Sequence, residues 1–143
     1  MKKNIIFYFI SLIGVASVFL PYYESIYFAC GFGINHQGFE YVTFFQMYIE
    51  SIEFFRPKLL TFIEVIWQTL VLISIVFSVI FFFYKKYIVL IYLNIISIIY
   101  FALNLFSAFD MLIYGFYILF FQQILLIIIV IKTKIDVAKI VIK

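Results

Sequence analysis

The sequence predicts an all-α integral membrane protein: a bundle of four antiparallel transmembrane helices with an outer amphipathic segment and both termini in the cytoplasm. Three observations predict it. Hydrophobic residues make up 68% of the 143 positions and charged residues only 12%, where a soluble domain carries about 25% charge. Four apolar runs approach or exceed the roughly 20 residues that about 30 Å of hydrocarbon requires. The lysines, finally, fall on alternate connections between those runs. A soluble globule of this composition would have to bury nearly everything, so a soluble enzyme, a disordered chain and a nucleic-acid-binding domain are excluded.

The first span is expected over residues 4–20, because Lys2 and Lys3 precede it and Pro21 disfavours helical geometry at Leu20. Its apolar run continues through Val18-Phe19-Leu20, past Ala16-Ser17, which speaks for a span and against a cleaved leader. The second span is expected over 59–84, since Pro57 suits a first helical turn and Leu59-Leu60 resume the apolar run. The third is expected over 87–109 and the fourth over 111–131. These runs are too long for barrel strands and lack period-2 alternation.

Orientation follows from the basic residues. Lys2, Lys3, Lys85, Lys86, Lys132, Lys134, Lys139 and Lys143 all fall on one side of a four-span chain, leaving Arg56 and Lys58 on the other. The positive-inside rule makes the lysine side cytoplasmic. The segment 21–58 then faces out, and the basic tail 132–143 faces in. The setting expected is a bacterial cytoplasmic membrane.

Within the outer segment, residues 31–38 form the one turn-rich stretch. From Phe39 to Phe55, Glu40, Thr43, Gln46, Glu50 and Glu53 recur at helical spacing over an arc of about 140°, opposite Phe44, Phe45, Tyr48, Ile52 and Phe55. That pattern predicts an amphipathic helix at the outer interface. A short strand pair around Tyr22–Phe28 is the alternative. Asn35, His36, Glu50 and Glu53 are the outer residues expected to meet a partner. In the tail, Lys132, Lys134, Lys139 and Lys143 are expected to meet anionic headgroups, with the fourth span continuing as a basic helix.

Inside the spans, an ionisable or amide side chain is expensive and therefore informative. Thr61, Glu64, Gln68, Ser74 and Ser78 share one arc of the second span, and Asn94, Ser97 and Asn104 one arc of the third. Both arcs are expected to face other helices, with Gln122 and Gln123 of the fourth span as partners. Glu64, Gln68, Asn94, Asn104 and Gln122 form the candidate intramembrane polar site. Ser11, Gly14 and Ser17 give the first span a small-residue edge, and Asp110 is expected to cap the fourth helix.

No catalytic constellation is present in the sequence. One cysteine, Cys30, and one histidine, His36, cannot make a zinc set, and Gly31-x-Gly33 lacks the remainder of a dinucleotide fingerprint. Neither metal nor cofactor is expected, and no enzyme. In topology alone the chain is similar to the claudin-like arrangement, without that family's Trp and paired Cys in the first outer loop. In size and in its aromatic, lysine-rich composition it resembles bacteriocin-immunity proteins, with no shared motif. The function expected is protein–protein contact in the bilayer, as an accessory subunit or an immunity-type factor, with the lipid bilayer and another membrane protein or a second copy as partners. The alternative is an oligomeric carrier or channel for a proton, ion or small solute, built on Glu64.

Overall fold

The computed structural model describes residues 2–31, 34–53 and 59–141, with side chains over 5–25, 38, 40–53 and 62–135. In chain order the elements are α1 (Lys2–Ser17), β1 (Pro21–Gly31), β2 (Ile34–Thr43), α2 (Phe44–Glu53), α3 (Leu59–Phe83), α4 (Tyr87–Ala108), a 3-10 turn (Phe109–Met111) and α5 (Tyr114–Val141). α1 packs on α3 and α5, and α4 packs on α3 and α5, so the four helices close a ring of neighbours.

The α3–α4 connection is short because it is a Schellman turn. Lys85 adopts φ 56°, Lys86 N–H donates to Phe81 C=O at 2.9 Å, and Lys85 N–H donates to Phe82 C=O at 3.1 Å. Glycine is the usual residue at that left-handed position; here it is lysine. α4 starts at once on the far side, with Leu90 N–H donating to Lys86 C=O.

The segment 21–53 follows the alternative expected for it, a strand pair around Tyr22–Phe28, over a longer stretch. Residues 21–31 and 34–43 pair as an antiparallel hairpin, from Pro21↔Thr43 to Gly31↔Ile34, so the chain is helical with one added strand pair. The helix expected from Phe39 begins only at Phe44. The reason is local: Thr43 Oγ1 accepts from Gln46 N–H at 3.1 Å and Gln46 Oε1 accepts from Thr43 N–H at 2.9 Å. This reciprocal capping box fixes the helix start. Upstream of it, the β-favouring residues of 21–31 and 34–43 take the ladder.

One residue of the hairpin turns inward. The register slips between Pro21 and Tyr23, leaving Tyr22 as the extra residue of a bulge, and bulges re-aim side chains. Tyr22 enters the core between Phe44 and Phe116, at ring-centroid distances of 5.2 and 5.4 Å. Its C=O accepts from Ile113 N–H at 3.1 Å, and Tyr23 bridges to Leu112. Phe45 N–H in turn donates to Val18 C=O. The hairpin base is thus tied both to the end of α1 and to the start of α5.

Two further bounds differ from expectation. α1 stops at Ser17, and residues 18–20 form a turn in which Phe19 and Leu20 N–H groups reach back to Ala16 and Ser17. Its 16 residues span about 24 Å, less than the hydrocarbon thickness of about 30 Å. Asp110 does not cap α5: it sits exposed in the 3-10 turn, four residues before the helix begins at Tyr114. The chain first has to pair Tyr23 with Leu112 there, and this delays the helix. As expected, α5 runs unbroken into the basic tail, to Val141.

The interior is layered along the helices. A largely aromatic cluster at the hairpin end gathers Val18, Tyr22, Phe44, Val71, Ile75, Tyr100, Phe101, Leu112, Phe116 and Leu119. A second cluster of Phe7, Phe82, Leu90, Leu126 and Val130 fills the other end, with Phe7 stacked on Phe82 at 3.9 Å. The buried polar residues Ser11, Ser78, Asn94, Ser97, Gln122 and Gln123 lie between the two clusters along their helices, and Ser74 lies at the edge of the first, between Val71 and Ile75.

Candidate functional site

That polar layer is built from one or two residues per helix. Ser74 on α3 holds a hydroxyl proton within reach of Gln123 Oε1 on α5 at 3.0 Å and of Asn94 Oδ1 on α4 at 3.4 Å. One proton serves two acceptors, and the nearer takes the stronger bond. Gln123 Nε2 donates to Gln122 Oε1 at 2.7 Å, and Asn94 Nδ2 donates to Leu90 C=O at 2.8 Å. The Gln122 amide lies flush on Gly14 of α1, where a side chain of any size would collide with it. Three helices are joined by hydrogen bonds and the fourth by close contact. Gln122 is about 12 Å into α5 from its first residue, near the middle of a span.

Burial drives this closure. An amide in an apolar interior costs free energy unless it is paired, and the four helices offer each amide either another side chain or a backbone carbonyl. Ser17, Ser78, Ser97 and Asn104 take the second course, donating to Ile13, Ile75, Leu93 and Tyr100 C=O respectively. Among the described residues four buried atoms are left without a partner: Ser11 Oγ, Tyr22 OH, Gln68 Oε1 and Gln122 Nε2.

The expected site is therefore divided. Asn94 and Gln122 come together in the polar layer, with Ser74 and Gln123. Glu64 does not join them. It is exposed near the N-terminal end of α3, where its Oε1 accepts from Gln68 Nε2 at 3.3 Å. Gln68 itself is buried, and with the half-buried Asn104 it flanks the Tyr100 hydroxyl. The carboxylate sits outside because it lies only five residues into α3, about 8 Å along the axis. Thr61 lies outside the residues whose side chains are described.

On the outer segment, Glu50 and Glu53 are exposed, while the side chains of Asn35 and His36 lie outside the described residues. The apolar face of α2 is split. Phe44 is buried and Met47 and Tyr48 are half-buried, the Tyr48 hydroxyl meeting that of Thr69 on α3 at 3.3 Å. Phe45, Ile49 and Ile52, at i, i+4 and i+7, stay exposed as a second apolar strip. Sequence periodicity merged these strips into one face; the capping box Thr43-x-x-Gln46 was the signal that could have set the register.

In the tail, Lys132 and Lys134 are exposed, and the side chains of Lys139 and Lys143 lie outside the described residues. At the opposite end, burial pushes the Tyr22 hydroxyl well above the ordinary tyrosine value, with Tyr100 adding to the effect. Tyr23 is raised as well, by burial first and then by Glu50, Glu40 and Glu64.

Among the described residues three helices, over Phe62–Phe83, Tyr87–Met111 and Tyr114–Ile135, are long and apolar enough to cross a membrane, and a shorter apolar helix, Ile5–Ser17, accompanies them. Large hydrophobic side chains are exposed along all four, which water would not tolerate on this scale. This is the make-up of a helical membrane protein. Comparison with protein-family models, with curated proteins and with solved structures finds no match to the chain.

Proposed function

We propose that this chain is a small non-enzymatic membrane protein that works by binding another protein in the bilayer, as an accessory subunit or an immunity-type factor. In this reading α1, α3, α4 and α5 are four antiparallel transmembrane helices, both termini are cytoplasmic, and the membrane is a bacterial cytoplasmic membrane. The short α1 is accommodated by local thinning of the bilayer around it.

The observation that carries the reading is where the polar groups go. Within the spans most of them are spent on one another or on their own helix backbone, while the surface offers apolar strips. One such strip, Phe45, Ile49 and Ile52, lies beside the acidic pair Glu50 and Glu53 on a helix tied to the bundle at both ends of the hairpin base. Such a rigid, mixed surface suits a protein partner. The carrier reading keeps one supporting observation, the unpartnered Gln68 Oε1 and Gln122 Nε2 in the interior, but its titratable residue, Glu64, stands outside that interior.

Gentle detergent extraction followed by native mass measurement tests the choice. A stoichiometric foreign subunit that is lost when Phe45, Ile49 and Ile52 are changed to Ser supports the proposal. Glu64→Gln should leave both that subunit and the stability of the chain unchanged. A homo-oligomer whose pH-dependent solute movement disappears in Glu64→Gln would replace the proposal with the carrier.

A further inference from the structure

The turn between α3 and α4 and the distant residue Lys134 on α5 wall a single cavity of about 370 Å³, lined by Lys85, Lys86, Tyr87, Ile88, Val89 and Lys134. We propose that this cavity binds the phosphate headgroup of an anionic phospholipid. The inference rests on membrane insertion and not on the identity of any protein partner.

Charge is the first argument. Three lysines from two separate stretches of chain line one space, and no carboxylate lines it. Among the described residues no ion pair accompanies these lysines. An anion entering a space lined by three cationic side chains is attracted by each of them. The first turn of α4 forms part of the same wall, and Lys86 at its N-cap makes no side-chain cap, so the site adds further donors to the cations.

Position and shape select a lipid over a free anion. The cavity opens where the apolar segment Phe62–Phe83 ends and Tyr87–Met111 begins, which is the depth of headgroup phosphates. Basic pockets between helices at this level suit anionic headgroups. Below the lysines the wall becomes apolar: Ile88 and Val89 are 56% and 43% exposed. Tyr92, one turn further on from Ile88, is exposed as well. A phosphate in the cavity would therefore leave its acyl chains lying along exposed α4, whereas inorganic phosphate would gain nothing from that surface.

The test uses the full chain in mild detergent, with thermal stability and lipid retention by native mass measurement as readouts. The probes are phosphatidylglycerol, phosphatidylcholine and inorganic phosphate. Phosphatidylglycerol should be retained and should raise the melting temperature; the other two should do neither. Each lysine removed should weaken retention about fivefold. Lys85→Gly is a suitable removal because glycine accepts the left-handed backbone there; it is combined with Lys86→Gln and Lys134→Gln. The control Lys132→Gln removes an exposed charge of α5 that does not line the cavity and should change retention less than twofold. Equal loss in that control, or equal protection by phosphatidylcholine or inorganic phosphate, overturns the proposal. If the triple variant does not fold, Lys134→Gln alone decides: undiminished retention overturns the site, and a fivefold loss that Lys134→Arg restores supports it.

Discussion

The side-chain amide of Gln122 on α5 lies directly against Gly14 on α1, so close that an added Cβ would overlap its Nε2 and Cδ atoms. The two helices can approach at this point because one of them has no side chain there. Gln122 is also held from the other side, by the 2.7 Å bond from Gln123. It cannot yield without loosening the polar layer.

Gly14→Ala should therefore destabilise the protein by about 1–2 kcal/mol, measured by reversible unfolding in mixed detergent. The double change Gly14→Ala/Gln122→Ala should recover much of that loss, because the obstacle is the far end of the glutamine. Additive effects of the two substitutions would show that the contact does not limit how close the helices come.

A second glycine makes a harder contact. The space around Gly115 is filled by the C=O and carbonyl carbon of Pro21 and by the Leu20 C=O, all backbone at the hairpin base. Backbone cannot swing aside as a glutamine can. Gly115→Ala is expected to cost more than Gly14→Ala, about 2–3 kcal/mol, and to raise hydrogen exchange at Ile113, whose N–H is bonded to Tyr22 C=O. A Gly115→Ala protein with unchanged protection at Ile113 would contradict the docking.

Ser74 offers the most direct probe of the polar layer. Ser74→Ala leaves Gln123 Oε1 and Asn94 Oδ1 without their shared donor and should cost about 0.5–1.5 kcal/mol, the range of interhelical hydrogen bonds in membranes. Gln123→Leu alone should cost a similar amount. The double variant should cost less than the sum, since each change removes the same bond. A coupling energy of zero would mean that the two side chains act independently.

The long helices were legible because a span is a matter of length and charge: 59–84 and 87–109 were expected, and α3 and α4 run Leu59–Phe83 and Tyr87–Ala108. The inward arcs were legible for the same reason, since Gln68, Ser74, Ser78, Asn94 and Ser97 are all buried. Glu64 shares its arc with Gln68 but not its environment; angular position says nothing about distance from the helix end. The hairpin was legible only as an alternative, a short strand pair around Tyr22–Phe28, because aromatic residues fit a strand or an amphipathic helix equally well. The close approaches at Gly14 and Gly115 depend on which helix comes next to which, and no local pattern encodes that.

Tyr22 links the hairpin to pH. Its ring is enclosed by Phe44, Phe101 and Phe116, and its hydroxyl has no hydrogen-bond partner. Burial raises its proton affinity well above that of a free tyrosine, near 10. The sign follows from linkage: below about pH 10 the side chain is neutral in both folded and unfolded chains, and its contribution is fully present. As pH rises further the unfolded chain releases the proton while the folded chain keeps it, so stability falls, by at most about 1.4 kcal/mol per pH unit for this group. Tyr22→Phe removes the titration and also an unsatisfied buried hydroxyl, whose loss is neutral or favourable. Melting temperatures between pH 8 and 11.5 should thus show the variant matching or exceeding the parent at pH 8. Above pH 10 the variant should fall less steeply, with Tyr23 and the other tyrosines accounting for the loss that remains. Identical alkaline slopes in the two proteins, or a clear loss of stability in the variant at pH 8, would place the Tyr22 hydroxyl outside the enclosed core.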